Sequence, residues 1–341
     1  MDTRKLVPND PRVKYTKASV NGRVYQLTVG EPQAMAAIET VMLIHGFPDS
    51  SFGWRCQVPY LMSMGFRVVV PDMLGYSGTD RPEDLHQFSL KSLSADIKEL
   101  ARHFVGDGQI ILGGHDWGGA LVWRVALWHP ELLKAVFSIC TPFVAPSPSW
   151  IALEDVIAMG KYSNFGYQLQ LKGPEVENAI QGAGKLRQFL NGMFGGVGSN
   201  GEFAFTPEKG VQLDSLPKLK RSRLLSDEEL DHYVEQYMKQ DAPQLRGPLN
   251  WYRTRKINWE DEMLLADSHV SLEMPTLFIA AKKDSVLLPS LSVGMERHMP
   301  KLTRAEVNGS HWALTGASEE VNEHIGKWLN GLLGGILKSS L

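Results

Sequence analysis

The chain opens with alternating apolar and polar positions and then changes to solid apolar runs. Residues 13–20 and 23–29 read as two β-strands joined by Asn21-Gly22, a dipeptide that favours the tight turn of a hairpin. Short, mostly apolar runs at 41–44, 66–70, 110–112 and 135–139 have the pattern of strands covered on both faces. Helical spacing appears between them: within 92–105, Leu93, Ile97, Leu100, Ala101 and Phe104 share one face. Residues 120–128 are apolar almost all round, which predicts a buried helix, and His129-Pro130 ends it. Strands alternating with helices predict an α/β fold with a mostly parallel sheet.

The rhythm breaks after Thr141-Pro142-Phe143. Residues 144–247 hold no continuous aliphatic strand, are rich in Gly, Gln, Glu and Lys, and contain helical pieces such as 227–238. The β/α rhythm returns at 275–280, followed by 302–307 and an amphipathic stretch at 321–333, which makes eight strands in all. The pattern therefore divides into an α/β core, residues 1–143 and 248–341, and a helical cap, 144–247, inserted into it. Open α/β sheets bind ligands at the carboxyl ends of their strands, where such a cap would sit. Gly196-Val197-Gly198-Ser199-Asn200-Gly201 matches a dinucleotide-binding spacing, but it neither follows a clear strand nor opens a helix. It reads as a flexible loop of the cap.

Composition narrows the setting. A chain of 341 residues, 43% apolar and 21% charged, can bury a substantial core without staples. A formal net charge of −3, with no long run of one sign, argues against nucleic acid and anionic membrane as partners. No apolar run approaches the roughly 18 residues of a membrane span. Nothing behind Met1 reads as a secretory signal, so the expected location is cytoplasmic. Ser339-Ser340-Leu341 resembles a peroxisomal ending apart from its uncharged middle residue. Cys56 and Cys140 have neither disulfide-framework nor zinc spacing, and Cys140 reads as a small core residue. No marker of oligomeric state is present.

The chemistry concentrates in Gly113-Gly114-His115-Asp116-Trp117-Gly118-Gly119, which lies between the apolar run 110–112 and the buried helix. A strand, a glycine-lined turn and a helix make a nucleophile elbow, which exposes one side chain at the top of a sheet. That position usually holds Ser in G-x-S-x-G; here it is Asp116, and the chain has no G-x-S-x-G. A serine attacking a saturated carbon would form an ether, which is a dead end. A carboxylate forms an ester that water can cleave. With a reference pKa of about 3.9, Asp needs no base to activate it. The substrates expected are therefore strained epoxides or alkyl halides. Helix capping would explain Asp116 alone, but not the glycines on both sides of it.

Hydrolysis of such an ester needs an activated water. His311, in the loop Asn308-Gly309-Ser310-His311-Trp312 after a strand, is the candidate base. His232, His269, His298 and His324 lack that setting. Asp284 ends the run 278–284 and gives the chain order nucleophile, acid, base; it would orient His311 and stabilise its charged form. The turn His45-Gly46-Phe47-Pro48 follows a strand, so the backbone N–H groups of Phe47 and Trp117 would form an oxyanion hole. His45 itself reads as structural.

Together, these motifs resemble the α/β-hydrolase-fold epoxide hydrolases over nearly the whole chain. The likeness is nearest to soluble fungal-type enzymes without an attached phosphatase domain. The resemblance implies an eight-stranded, mostly parallel sheet with an inserted cap, and hydrolysis of small apolar epoxides to vicinal diols without metal or organic cofactor. It also implies two cap tyrosines that hydrogen-bond the epoxide oxygen. Phe165-Gly166-Tyr167-Gln168-Leu169 resembles the motif of the first and Leu249-Asn250-Trp251-Tyr252-Arg253 that of the second, with Tyr162 as the alternative to Tyr167. Phe47, Trp117 and Trp251 are the expected pocket residues. A haloalkane or haloacetate dehalogenase is the alternative, weakened by Phe47 where a halide-binding Asn often stands. A non-catalytic small-molecule receptor is the second, opposed by the intact aspartate set.

Overall fold

The computed structural model describes residues 2–33, 36–160, 162–266 and 270–339; His269 and the Ser340-Leu341 ending lie outside them. The strands are β1 (Val13–Val20), β2 (Arg23–Gly30), β3 (Thr40–Ile44), β4 (Arg67–Pro71), β5 (Ile110–His115), β6 (Leu133–Ile139), β7 (Phe205–Thr206), β8 (Gly210–Val211), β9 (Thr276–Ala281) and β10 (Leu302–Val307). Eight of them form one sheet in the order β1-β2-β4-β3-β5-β6-β9-β10, while β7 and β8 pair separately. In the large sheet β2 is antiparallel to both its neighbours and the other pairs are parallel. Asn21 and Gly22 take φ of 50° and 77°, as a tight hairpin between β1 and β2 requires. The central strands β3, β5 and β9 are buried throughout, which is why their sequences do not alternate.

The helices packed beside the sheet include α1 (Gln57–Ser63), α2 (Leu90–Val105) and α3 (Trp117–Trp128). On α2, Leu93, Ile97, Leu100 and Ala101 are buried, as their spacing predicts. α3 starts at Trp117, three residues before the apolar run that announced it, so Gly118 and Gly119 are helical. Packing explains their presence. A Cβ on Gly118 would sit 2.1 Å from the Ile44 carbonyl oxygen, and one on Gly119 would sit 2.5 Å from Ser138 Oγ. The first turn of α3 can therefore press directly against β3 and β6.

Between β6 and β9 the chain forms α4 (Leu153–Ala158), α5 (Tyr167–Leu171), α6 (Glu175–Ala179), α7 (Gly182–Met193), α8 (Asp227–Tyr237), α9 (Arg246–Asn250) and α10 (Arg255–Ala266). α11 (Ala313–Gly316) and α12 (Ser318–Ser339) follow β10. The glycine-rich 196–201 stretch is a tight reverse turn, with Val197 bridged to Phe203 and Gly198 N–H donating to Glu202 O at 2.8 Å. None of the described helices is long and apolar enough to cross a membrane.

Buried polar bonds tie the helical segment to the loops at the strand ends. Tyr233 O–H donates to Asp49 Oδ1 at 2.7 Å, and Tyr237 O–H donates to Pro48 O at 2.9 Å. The fully buried Arg55 guanidinium meets Glu229 at 3.0 Å. Burial pushes the Asp49 carboxyl up from its ordinary value, against the Tyr233 hydrogen bond that holds it down. Tyr233→Phe leaves that buried carboxyl short of a donor and should cost about 1–3 kcal/mol of stability, measured by urea denaturation. A loss within error would show that this contact does not hold the segment to the core.

Candidate active site

Asp116 stands between β5 and α3 with φ 54° and ψ −124°, a left-handed backbone that costs a non-glycine residue on the order of 1–3 kcal/mol. The surroundings fix it. Thr141 Oγ1 donates to the Asp116 main-chain oxygen at 2.7 Å, and Ala120 N–H donates to the same oxygen at 3.1 Å. The Phe47 N–H donates to Asp116 Oδ1 at 2.8 Å. A Cβ on Gly46 would lie 2.3 Å from that oxygen and 2.7 Å from Trp117 N, so the β3 turn approaches the elbow as closely as backbone allows. Trp117 begins α3, where helix geometry leaves an N–H without an acceptor one turn back. Of the two backbone donors expected from the sequence, the Phe47 N–H meets the Asp116 carboxylate directly, and the Trp117 N–H lies at the same close approach of the β3 turn to the elbow.

The loops after β9 and β10 bring the other two groups to the same place. His311 Nδ1 bonds Asp284 Oδ2 at 2.8 Å, and His311 Nε2 faces Asp116 Oδ2 at 3.6 Å. The fully buried Asp284 side chain also accepts from Val286 N–H and Leu287 N–H at 2.8 and 2.9 Å. Burial works against its charge, but the His311 charge and hydrogen bond and the two N–H donors outweigh it. They hold Asp284 well below the usual carboxylate range. Burial likewise opposes a charge on His311, yet the Asp284 charge and hydrogen bond and the Asp116 charge raise its pKa from 6.5 to about 9. His311 is thus an imidazolium at neutral pH. Its contribution to stability is complete below about pH 6.5 and is lost as pH rises through about 9.

The sequence reading passed over three groups. His115 Nε2 lies 2.8 Å from the His311 main-chain oxygen, and Cys140 Sγ lies 3.7 Å from the same atom. Burial, aided by the His311 charge, lowers His115 to about 4, so it stays neutral and donates through Nε2. Cys140, at φ 67°, does more than fill core volume: it follows β6 and sets its sulfur against the His311 loop. Thr141 is the third, and only its place just after a strand end hinted at it. His45 is structural in its contacts, accepting from Met73 N–H at 2.9 Å.

A cavity of about 370 Å³ opens above these residues. Phe47, Asp116, Tyr167, Tyr252 and His311 line it, with Leu171, Met193, Phe205, Val286 and Trp312 adding apolar surface. The Tyr167 and Tyr252 rings are 6.0 Å apart, centroid to centroid. Burial, with the Asp116 charge, raises Tyr167 above its ordinary value; burial, with Tyr167 and Asp116, does the same to Tyr252. Both phenols therefore stay protonated. Tyr162 is half-buried, stacks on Phe165 and is not part of this wall. Two expected pocket residues are elsewhere. Trp251 is buried behind the wall, its indole N–H donating to Leu74 O at 3.2 Å. The Trp117 ring packs edge-on behind Tyr252 at 5.2 Å and faces a second cavity. Adjacent positions on a turn and a helix point to different sides, which motif matching does not resolve.

The profile of the α/β-hydrolase fold family matches residues 39–316. Epoxide hydrolase srdG of Neurospora crassa is 41% identical over 98% of this chain and 100% of that protein. The chain belongs to the epoxide hydrolases of the α/β-hydrolase fold. A second member, bifunctional epoxide hydrolase 2 of Rattus norvegicus, is 32% identical over 94% of this chain, which spans only 56% of it. Among solved epoxide hydrolases, one from Vigna radiata superposes with a TM-score of 0.78 at 25% identity, covering 94% of this chain and 98% of that one. Membership in the family leaves the site's electrostatics testable on their own. Asp116→Asn removes one of the charges that raise His311, so the imidazole should titrate below about 9, read by carbon NMR of the ring. An unchanged titration would mean that Asp116 does not act on it.

Proposed function

We propose that this chain hydrolyses lipophilic epoxides to vicinal diols through an ester on Asp116. The observation that carries the reading is the convergence at one cavity of the Asp116 carboxyl group, two protonated phenols and a His–Asp pair. The elbow holds Asp116 where an elbow serine would stand, and the relatives named epoxide hydrolase support the substrate class.

An Asp116 oxygen attacks a ring carbon, and the carbon–oxygen bond of the oxirane breaks. Tyr167 and Tyr252 hydrogen-bond the departing oxygen and supply its proton, since an alkoxide is a stronger base than a phenolate. The ester no longer carries the Asp116 charge. One cause of the raised His311 pKa disappears with it, so the ring can give up its proton, which restores the phenol that ring opening left as a phenolate, and can then accept one from water. Water then attacks the carboxyl carbon, and the Phe47 and Trp117 N–H groups hold the oxyanion. Asp284 keeps the imidazole oriented. The diol leaves, carrying the former Asp116 oxygen. Tyr167 is preferred to Tyr162 because only Tyr167 lines the cavity.

His311→Gln should stop after alkylation. Denatured protein should then gain the mass of the substrate, and steady turnover should fall by at least about a thousandfold. Unmodified protein with retained turnover would overturn the two-step scheme. Tyr252→Phe should slow alkylation, seen as a slower quench of Trp fluorescence on mixing with substrate, and leave ester hydrolysis near its original rate. Equal slowing of both steps would make Tyr252 a packing residue. A dehalogenase would release halide from chloroalkanes and leave epoxides untouched.

A further inference from the structure

Three buried tyrosines give their hydroxyl protons to the protein: Tyr25 donates to Asp96, Tyr233 to Asp49 and Tyr237 to Pro48 O. Tyr167 does the reverse. Its oxygen accepts from the Gln168 side-chain amide at 3.3 Å, and its own O–H donates to no protein group among the described residues. The surroundings fix the ring: Tyr167 N–H donates to Pro207 O at 2.8 Å, and Phe205 packs edge-on at 5.2 Å. What remains free is rotation of the O–H about its carbon–oxygen bond. Gln168 does not line the cavity that Tyr167 lines, so its N–H reaches the oxygen from outside that cavity. A donor on one side of a hydroxyl oxygen turns the proton to the other side, here toward the cavity.

Gln168 has no competing task. It is half-buried in the first turn of α5, and its side chain makes no other hydrogen bond among the described residues. Its influence on charge also stands apart. Burial and the Asp116 charge push the Tyr167 phenol up and the Asp284 charge adds to them, while the Gln168 bond pulls the other way. The Trp117 side chain has the same relation to the Tyr252 hydroxyl. Each phenol of the cavity thus meets an N–H donor from a residue outside the cavity wall. Between neutral groups a bond of 3.3 Å is weak, but to a phenolate the same bond is charge-assisted and shortens.

We propose that Gln168 is a positioning residue for ring opening: its amide N–H turns the Tyr167 proton toward the oxirane oxygen and holds the phenolate left behind. This rests on the reading that the oxirane opens at Asp116. An electron pair of an Asp116 oxygen forms the new bond to carbon, and the carbon–oxygen pair of the ring moves to the oxirane oxygen. That oxygen takes the Tyr167 proton, and the O–H pair stays on Tyr167. The negative charge has then passed from Asp116 to Tyr167, and the total in the cavity is unchanged. Loss of the Asp116 charge removes a repulsion from the new phenolate, and Gln168 supplies a donor to it. Alkylation therefore depends on Gln168, while ester hydrolysis, which follows restoration of the phenol, does not.

The test mixes the full chain, in excess, with trans-stilbene oxide and follows alkylation by Trp fluorescence and ester hydrolysis by diol release. Gln168→Leu should slow alkylation about tenfold, as expected on losing a charge-assisted bond only partly formed in the transition state, and leave hydrolysis near its original rate. Gln168→Glu keeps the shape but presents a carboxylate. It should be slower than Gln168→Leu at neutral pH and recover as falling pH gives the carboxyl a proton to donate, beyond any change in the original protein. Original alkylation rates in Gln168→Glu at neutral pH would make the residue a matter of shape and overturn the proposal. So would unchanged or faster alkylation in Gln168→Leu; a faster rate would mean that the amide oxygen holds the phenol proton back. Equal slowing of alkylation and hydrolysis would also overturn it, as a distortion of the cavity. Diol from the original protein with no fluorescence change and no mass added to the Asp116 peptide would overturn the ester reading, and this inference with it.

Discussion

A charged imidazole ring buried between two carboxylates is the interaction on which the rest of the site depends. His311 keeps its proton because Asp284 and Asp116 flank it, and Asp284 keeps its charge because His311 and two backbone donors surround it. Each group is costly in isolation and acceptable together, since burial penalises an unpaired charge far more than a hydrogen-bonded pair. The balance has three members. Once one carboxylate becomes a neutral ester, the ring's proton loses one of the charges that support it. In the proposed reaction that loss converts a resting cation into a base at the moment a base is needed, with no movement of the scaffold.

The sheet makes this balance possible by placing chain segments distant in sequence at neighbouring strand ends. β3 supplies the Phe47 donor, β5 the carboxylate, β6 the Thr141 and Cys140 supports, and β9 and β10 the acid and the imidazole. Glycine is needed where these ends crowd. Gly46 and Gly118 lie where a single Cβ would strike Asp116 or the β3 carbonyl, so the backbone closes around the carboxylate only because those side chains are missing. The strained backbone of Asp116 is held by bonds to its own main-chain oxygen and side chain, which is how a sparsely populated conformation persists.

Much of this was legible in the sequence. The solid apolar runs mark the central strands because parallel strands are covered on both faces, and the glycines around Asp116 mark the elbow because they serve packing. The spacing of Asp284 and His311 after strand-like runs led to residues that the structure brings into contact. Side-chain direction was not legible. Trp117 and Trp251 adjoin residues of the cavity in sequence yet face away from it, and Tyr167 and Tyr162 could not be separated without coordinates. The His115 and Cys140 contacts were hidden for a different reason. Both reach a main-chain oxygen, and no residue type announces the carbonyl it will meet.

The central claim is that Asp116 itself becomes esterified and that water attacks the ester. One turnover in water enriched in heavy oxygen, with protein in excess over epoxide, tests it most directly. The first diol should carry no label, because its new oxygen comes from the Asp116 carboxylate, and the peptide containing Asp116 should gain one labelled oxygen. Label in the first diol, with an unlabelled Asp116 peptide, would mean that water opens the ring directly and would contradict the proposed mechanism.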